Sequence, residues 1–291
     1  WAPSRVIPYT INEFPFWSFL FADLHPHVIA MPFDIFFLAL LLEAFLGGID
    51  GWRRKELILT QILTLGTVAA INTWNFPTLT LVATLALLIS LYQERGKWET
   101  IALIPILPLS AIALFSPFFL LYRPMSAGLG IVRQQTDWLP FVTFWGFFLT
   151  ASILSGLSSV QGKIKKWPAV LLAAIALALA IKFLWTPLTI FLAAASLLLG
   201  TLKDDGGSPS ANRHSQFAVL LALVGLTVLM GCEFFYFRDF LQGSEYYRMN
   251  TVFKFYIQAW VLLGLGLALP FQAFLDREGK WWDIAKACLL Y

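Results

Sequence analysis

The sequence predicts an all-α polytopic transmembrane helix bundle of about nine spans, with outer-face loops that form a cavity. Three observations predict it. Hydrophobic residues make up 59% of the chain and charged residues only 13%, about half the roughly 25% charged share of a soluble domain. The mean hydropathy is +0.74, and a chain this apolar needs lipid as its solvent. Apolar runs of spanning length recur along the chain, and the polar segments with specific chemistry gather on one side of them.

Taken in order, residues 1–27 read as an extracytoplasmic loop segment and 28–270 as the bundle. Residues 271–291 read as a cytoplasmic or interfacial tail, or the start of a further span. Spans are expected near 28–46, 57–72, 76–92, 100–121, 140–160, 168–184, 186–202, 216–232 and 251–270. Pro32, Pro105, Pro108, Pro117 and Pro187 start or kink helices, which a packed membrane bundle tolerates. The polar stretch 203–213 is a flexible loop. The chain opens on Trp1 with no basic segment ahead of an apolar one, so it reads as a piece of a longer protein.

Orientation follows from the basic residues. Twelve fall on one side: Arg53, Arg54, Lys55, Arg95, Lys97, Lys163, Lys165, Lys166, Lys203, Arg213, Arg277 and Lys280. Seven fall on the other: Arg5, Arg123, Arg133, Lys182, Arg238, Arg248 and Lys254. The first side is therefore expected to be cytoplasmic. The net charge of +3 is too small to argue for nucleic acid, and no nucleic-acid motif is present. Cys232 and Cys288 have no metal or redox spacing and are expected at different depths, which argues against a disulfide. His25, His27 and His214 sit outside the expected spans, so no haem or chlorophyll site is expected.

Four outer segments hold the candidate chemistry. In the first, Glu13 and Asp23 are the only acids in an aromatic stretch. Carboxylates beside Phe and Trp at a membrane surface are costly unless they bind a cation, pair with a base or act as one. Against this stands interfacial anchoring by the aromatics, with Asp23 capping a helix. His25-Pro26-His27 follows and offers imidazoles for a phosphate, a carboxylate or a metal, although i and i+2 point apart on a helix. Asp34 is an intramembrane acid two turns further on, whereas Glu43 is near enough to the cytoplasmic end to snorkel. In the second segment, Asn72 and Asn75 flank a tight turn and either bind a sugar hydroxyl or cap the next helix. The third, from Tyr122 to Trp138, carries Arg123, Arg133 and Asp137 as a lid or a solvated loop. The fourth, from Glu233 to Tyr256, is the densest. There Arg248 and Lys254 are placed to clamp a phosphate, and Tyr247 to bond or stack on a sugar, unless the segment is an aromatic belt with paired charges.

The strings Glu13-Phe14-Pro15-Phe16, Asp23-Leu24-His25-Pro26-His27 and Arg248-Met249-Asn250-Thr251-Val252-Phe253-Lys254-Phe255-Tyr256 resemble the YYY-domain family of uncharacterised prokaryotic polytopic membrane proteins. That family in turn resembles the C-type (GT-C) glycosyltransferases, which take sugar from a polyprenyl-phosphate donor on the outer leaflet. The resemblance implies a GT-C-like bundle in a prokaryotic cell membrane, with membrane lipids and a polyprenyl-phosphate-linked sugar as partners. It places the catalytic acid on Asp23, with Glu13 second. Beside it the residues themselves offer His25, His27, Asn72, Tyr247, Arg248 and Lys254 toward substrate. A divalent ion, Mg or Mn, is a further expectation at Asp23 and His27, with Glu13 beside them. Two other classes compete: a transporter or flippase of a lipid-linked or anionic solute, which needs charge in the middle of several spans, and a non-catalytic subunit or assembly factor of a membrane complex.

Overall fold

The computed structural model describes residues 2–94, 98–123, 128–160, 185–201 and 209–276, with a few single positions beyond. The span expected at 168–184 lies outside the described residues. So do Arg95, Lys97, Lys163, Lys165, Lys166, Lys182, Lys203, Arg277, Lys280, Cys288 and most of the 271–291 tail. In chain order the helices are α1 (Pro15–Leu20), α2 (Pro26–Leu46), α3 (Gly48–Trp52), α4 (Lys55–Ile71), α5 (Asn75–Glu94), α6 (Leu103–Leu114), α7 (Ser116–Leu121), α8 (Trp138–Val160), α9 (Trp185–Thr201), α10 (Pro209–Phe234) and α11 (Met249–Leu275).

Pro26 fixes where α2 begins. A proline in the first helical position loses no hydrogen bond and is preset at helical φ, and His25 before it is extended, as the pre-proline clash requires. The helix therefore starts two residues ahead of its apolar run. His27 lies inside it, and His214 lies inside α10. This corrects the expectation that every histidine is outside the spans: hydropathy marks the first apolar residue, whereas capping marks the first helical one.

Among the described residues, five helices are long and apolar enough to cross a membrane: α2, α5, α8, α10 and α11. Nine are expected along the chain; the run at 168–184 lies outside the described residues, and three others form shorter helices for local reasons. The run at 57–72 is α4, with 17 residues that open on Lys55 and Glu56. The run at 100–121 is cut between α6 and α7, because Pro117 cannot donate to the helical ladder. The run at 186–202 is α9, also 17 residues. At 1.5 Å per residue, 17 residues reach only about 25 Å of a hydrocarbon core roughly 30 Å thick.

Helix α10 is the central element. Phe217, Leu220, Leu221 and Val224 face a core built with α2, α4, α5 and α6. Val219, Ala222, Leu226 and Leu229 face a second core built with α8, α9 and α11. The two sets alternate at helical spacing, so opposite stripes of one helix serve both cores. Helix α11 closes on α10 through Gly266, where a Cβ would fall 2.4 Å from the Ala222 nitrogen. Small residues permit this backbone approach in lipid, where dispersion rather than the hydrophobic effect joins helices.

The two ends of the bundle differ. At one end Arg213, in the first turns of α10, donates to the Phe45 carbonyl at 2.8 Å and to Glu94 at 2.7 Å. Glu94 also accepts the Ile49 N–H at 3.1 Å. Gly48, at φ +61°, makes room: a Cβ there would collide with the Glu94 carboxylate. At the other end, β1 (Leu129–Ile131) pairs antiparallel with β2 (Phe235–Phe237), Leu129 opposite Phe237. Arg133, Arg238, Arg248 and Lys254 collect here, as the count of basic residues leads one to expect. In a chain without native cysteines, a cysteine at Leu24 or Gln242 should react with an impermeant maleimide in intact cells. One at Tyr92 should not. The reverse labelling would invert the orientation.

Candidate functional site

Helix α1 is too short to span and leaves Phe16, Phe19, Leu20, Phe21 and Leu24 exposed around it. That is the pattern of a segment lying in the interface with its aromatics toward lipid. It carries Glu13 and Asp23 on its two flanks and returns the chain to Pro26, which delivers His27 in the first turn of α2. One ligand atom from each of Glu13, Asp23 and His27 lies within 4.8 Å of the others.

These groups are tuned by what surrounds them. His27 is 5% exposed, and its Nε2 has no hydrogen-bond partner. Its ring lies edge-on to Phe253 at 4.8 Å and stacks with His25 at 5.6 Å. The His25 ring contacts the Asp23 carboxylate, which also accepts the His25 N–H at 3.2 Å. Asp23 therefore orients a histidine and does not cap α2 from the N-cap position. The extended backbone at His25 escapes the helical rule that separates i from i+2. Burial pushes the Glu13 carboxyl above its ordinary value; the Ser18 hydroxyl, donating at 3.3 Å, partly opposes this, and the charge of Asp23 adds to it. Glu13 and Asp23 line a cavity of about 460 Å³ with Trp17, Ser18, Phe21 and Leu24.

Arg248 lies elsewhere. Its guanidinium forms a buried ion pair with Glu233 at 2.9 Å, with Glu233 wholly inaccessible. It also donates to the carbonyls of Gln134 at 3.1 Å and Cys232 at 2.6 Å. Glu233 accepts the Thr136 N–H at 2.7 Å and the Thr136 hydroxyl at 2.8 Å. Burial is the largest single influence and pushes the arginine pKa down, but the Glu233 charge, its hydrogen bond and the neighbouring groups together hold the value above normal. Sequence spacing does not show Glu233 as the partner, since a β-ribbon and a loop separate the two. Arg248 and Tyr247 do border a cavity of about 360 Å³ with Tyr9, Arg133, Gln135 and Glu245. This cavity shares no lining residue with the one at Glu13 and Asp23.

The remaining expected contacts are also committed. The Tyr247 hydroxyl accepts the Arg133 N–H at 3.1 Å, and the Arg133 guanidinium sits 5.5 Å from its ring centre. The Lys254 ammonium lies 4.6 Å over the Trp74 ring, a cation–π contact. Asn72 donates to Asn75 at 2.8 Å, and Asn75 donates to Asp34 at 2.5 Å. Asp34 thus joins the asparagine turn and not the histidines. Glu43 pairs with Arg54 at 2.6 Å in the open.

A family model described as Uncharacterized membrane protein (DUF2298) matches residues 1–263. The chain belongs to this family. No curated protein and no solved structure matches the chain. The family's matched region takes in α1, the Glu13–Asp23–His27 cluster, the Glu233–Arg248 pair and Lys254. Every candidate residue therefore lies within a membrane protein family, and the chain itself is an integral membrane protein.

Proposed function

We propose that this protein is a metal-assisted glycosyltransferase of the GT-C kind, moving a sugar from a polyprenyl-phosphate donor at the extracytoplasmic face. One observation carries the reading: a ligand atom from each of Glu13, Asp23 and His27 lies within 4.8 Å of the others, and the two acids line a 460 Å³ cavity whose border is exposed aromatic and aliphatic surface. Two carboxylates and a buried imidazole nitrogen without a partner suit a divalent ion, and the nitrogen favours manganese over magnesium. Such an ion would neutralise the leaving phosphate. The protein's own contribution is to hold Asp23 where it can orient or deprotonate the acceptor hydroxyl, with the His25 ring fixing that carboxylate. The apolar border suits a polyprenyl chain arriving sideways from the bilayer.

The test is sugar transfer from a labelled polyprenyl-phosphate donor in membranes, with chelator and with added Mn²⁺. Chelator should abolish transfer and Mn²⁺ restore it. Transfer indifferent to both would remove the ion from the reading, and no transfer in any condition would favour a structural subunit. Binding of Mn²⁺ should also depend on pH. Glu13 holds its proton to a higher pH than an ordinary glutamate, and that proton must leave before the carboxylate can bind metal. Below its raised pKa, affinity should fall about tenfold per pH unit for the one proton displaced. In the metal-free protein the sign reverses: a raised carboxyl pKa favours the protonated fold, so stability declines as pH climbs from the ordinary value through the raised one. Titration calorimetry across that range reads the first effect, and melting in chelator reads the second.

A further inference from the structure

The Glu233–Arg248 pair holds a segment that has no regular structure, residues 133–136. Tyr247 accepts the Arg133 N–H, Arg248 donates to the Gln134 carbonyl, and Glu233 accepts from both the N–H and the hydroxyl of Thr136. Arg133, Gln135 and Asp137 of this stretch line the cavity of about 360 Å³. A second part of the wall, residues 7–10, is fixed in the same way. Asn12, wholly buried, accepts the Ile7 N–H at 2.8 Å and donates to the Thr10 hydroxyl at 2.9 Å, which itself donates to the Ile7 carbonyl. This network keeps Tyr9 at φ +58°, a left-handed conformation that bulky residues rarely adopt. The Tyr9 ring is half exposed at the cavity. Two rigidly held loops thus border a space at the lower end of the roughly 300–1,000 Å³ of small-molecule sites, and far larger than the ~30 Å³ of one bridging water.

The wall carries both signs of charge. Arg133, Asp137 and Glu245 all border the space, yet none of them forms an ion pair among the described residues. Two residues of the wall also keep a buried polar atom without a partner: Gln135 at Oε1, and Arg248, only 6% exposed, at Nε. Native folds leave few such atoms, and these are one acceptor and one donor. An anion at this wall would meet Asp137 and Glu245, and a cation would meet Arg133. A hydroxyl donates to an amide or carboxylate oxygen and accepts from a guanidinium, so a ligand rich in hydroxyls serves both kinds of group. The apolar face of a sugar ring packs on a tyrosine ring such as Tyr9. We infer that this cavity binds a neutral saccharide of one or two rings, apart from the Glu13–Asp23 cavity and independently of the reaction proposed there.

The experiment uses the full chain in phospholipid nanodiscs, free of glycoside detergent. It is titrated with maltose, cellobiose, lactose, mannobiose and chitobiose, and binding is followed by saturation-transfer NMR. At least one of these should bind saturably, and inorganic phosphate should not displace it. The methyl glycoside of the sugar that binds separates two sources. Equal affinity assigns the site to the end of a glycan, attached through its reducing carbon, and lost affinity assigns it to a free sugar. Gln135→Met keeps the side-chain length, removes the amide oxygen and should weaken binding about tenfold. Tyr9→Asn removes the ring but tolerates the left-handed backbone, so it should also weaken binding about tenfold while melting no lower than the wild type. A tyrosine with a purely structural role would instead lower the melting temperature and leave affinity unchanged. The site is overturned if no sugar binds saturably, if folded Gln135→Met and Tyr9→Asn both bind as the wild type does, or if phosphate competes as strongly as the best sugar, which would make it an anion site.

Discussion

Asp23→Asn should lower sugar transfer about a hundredfold or more, the scale of a lost general base, while leaving the fold and donor affinity intact. The fold should survive because, among the described residues, the Asp23 carboxylate hydrogen-bonds only with neighbouring His25 at the end of α1, and asparagine keeps the acceptor oxygen. The same variant separates two roles. If Asp23 acts mainly as a metal ligand, raising Mn²⁺ should recover part of the rate, because asparagine still offers a weaker oxygen. If it deprotonates the acceptor, no concentration of metal should help. His27→Ala distinguishes further, since it removes the nitrogen ligand and leaves both acids. Full activity in Asp23→Asn would move the chemistry away from this cluster.

Arg248→Ala should destabilise the protein by about 3–5 kcal/mol, the cost of leaving one member of a buried pair without the other. The stranded group is Glu233, which has no access to solvent and, among the described residues, would retain only Thr136 as a polar partner. Arg248→Lys should recover only part of the loss, because one ammonium cannot reach Glu233 and the carbonyls of Gln134 and Cys232 in the same fork. A double change, Arg248→Met with Glu233→Gln, should restore more stability than either single change permits, since no lone buried charge remains. Melting temperature and donor binding, measured on the same preparations, decide the outcome. Weaker donor binding in Arg248→Ala at unchanged stability would return the arginine to the phosphate.

The membrane character and the first cluster were legible because they break a local expectation. An acid among Phe and Trp is anomalous in any apolar stretch, so Glu13 and Asp23 stand out without a structure. His27 was visible as a residue type, but its burial came from Pro26, which starts the helix earlier than hydropathy does. Arg248 was misleading for the opposite reason. A cation beside tyrosines at a span boundary looks the same whether it faces a ligand or a partner, and Glu233 reaches it only because the β-ribbon folds α10 back toward α11. Asp34 and Asn75 are 41 residues apart, and no periodicity within either helix reports their meeting. Pro117 and the short runs of α4 and α9 set where those helices begin and end, which mean apolarity does not report.

The Arg213–Glu94 contact has a mechanical consequence. It ties α2, α5 and α10 together at one end, which makes that end a fulcrum. A tilt about a fixed end displaces atoms in proportion to their distance from it. For a helix about 30 Å long, a rotation of about 5° moves the far tip by roughly 2–3 Å and the near tip hardly at all. Any tilt about that end would be largest at the face that holds the Glu13–Asp23 cavity, where the proposed donor chain would enter, and smallest at the opposite face.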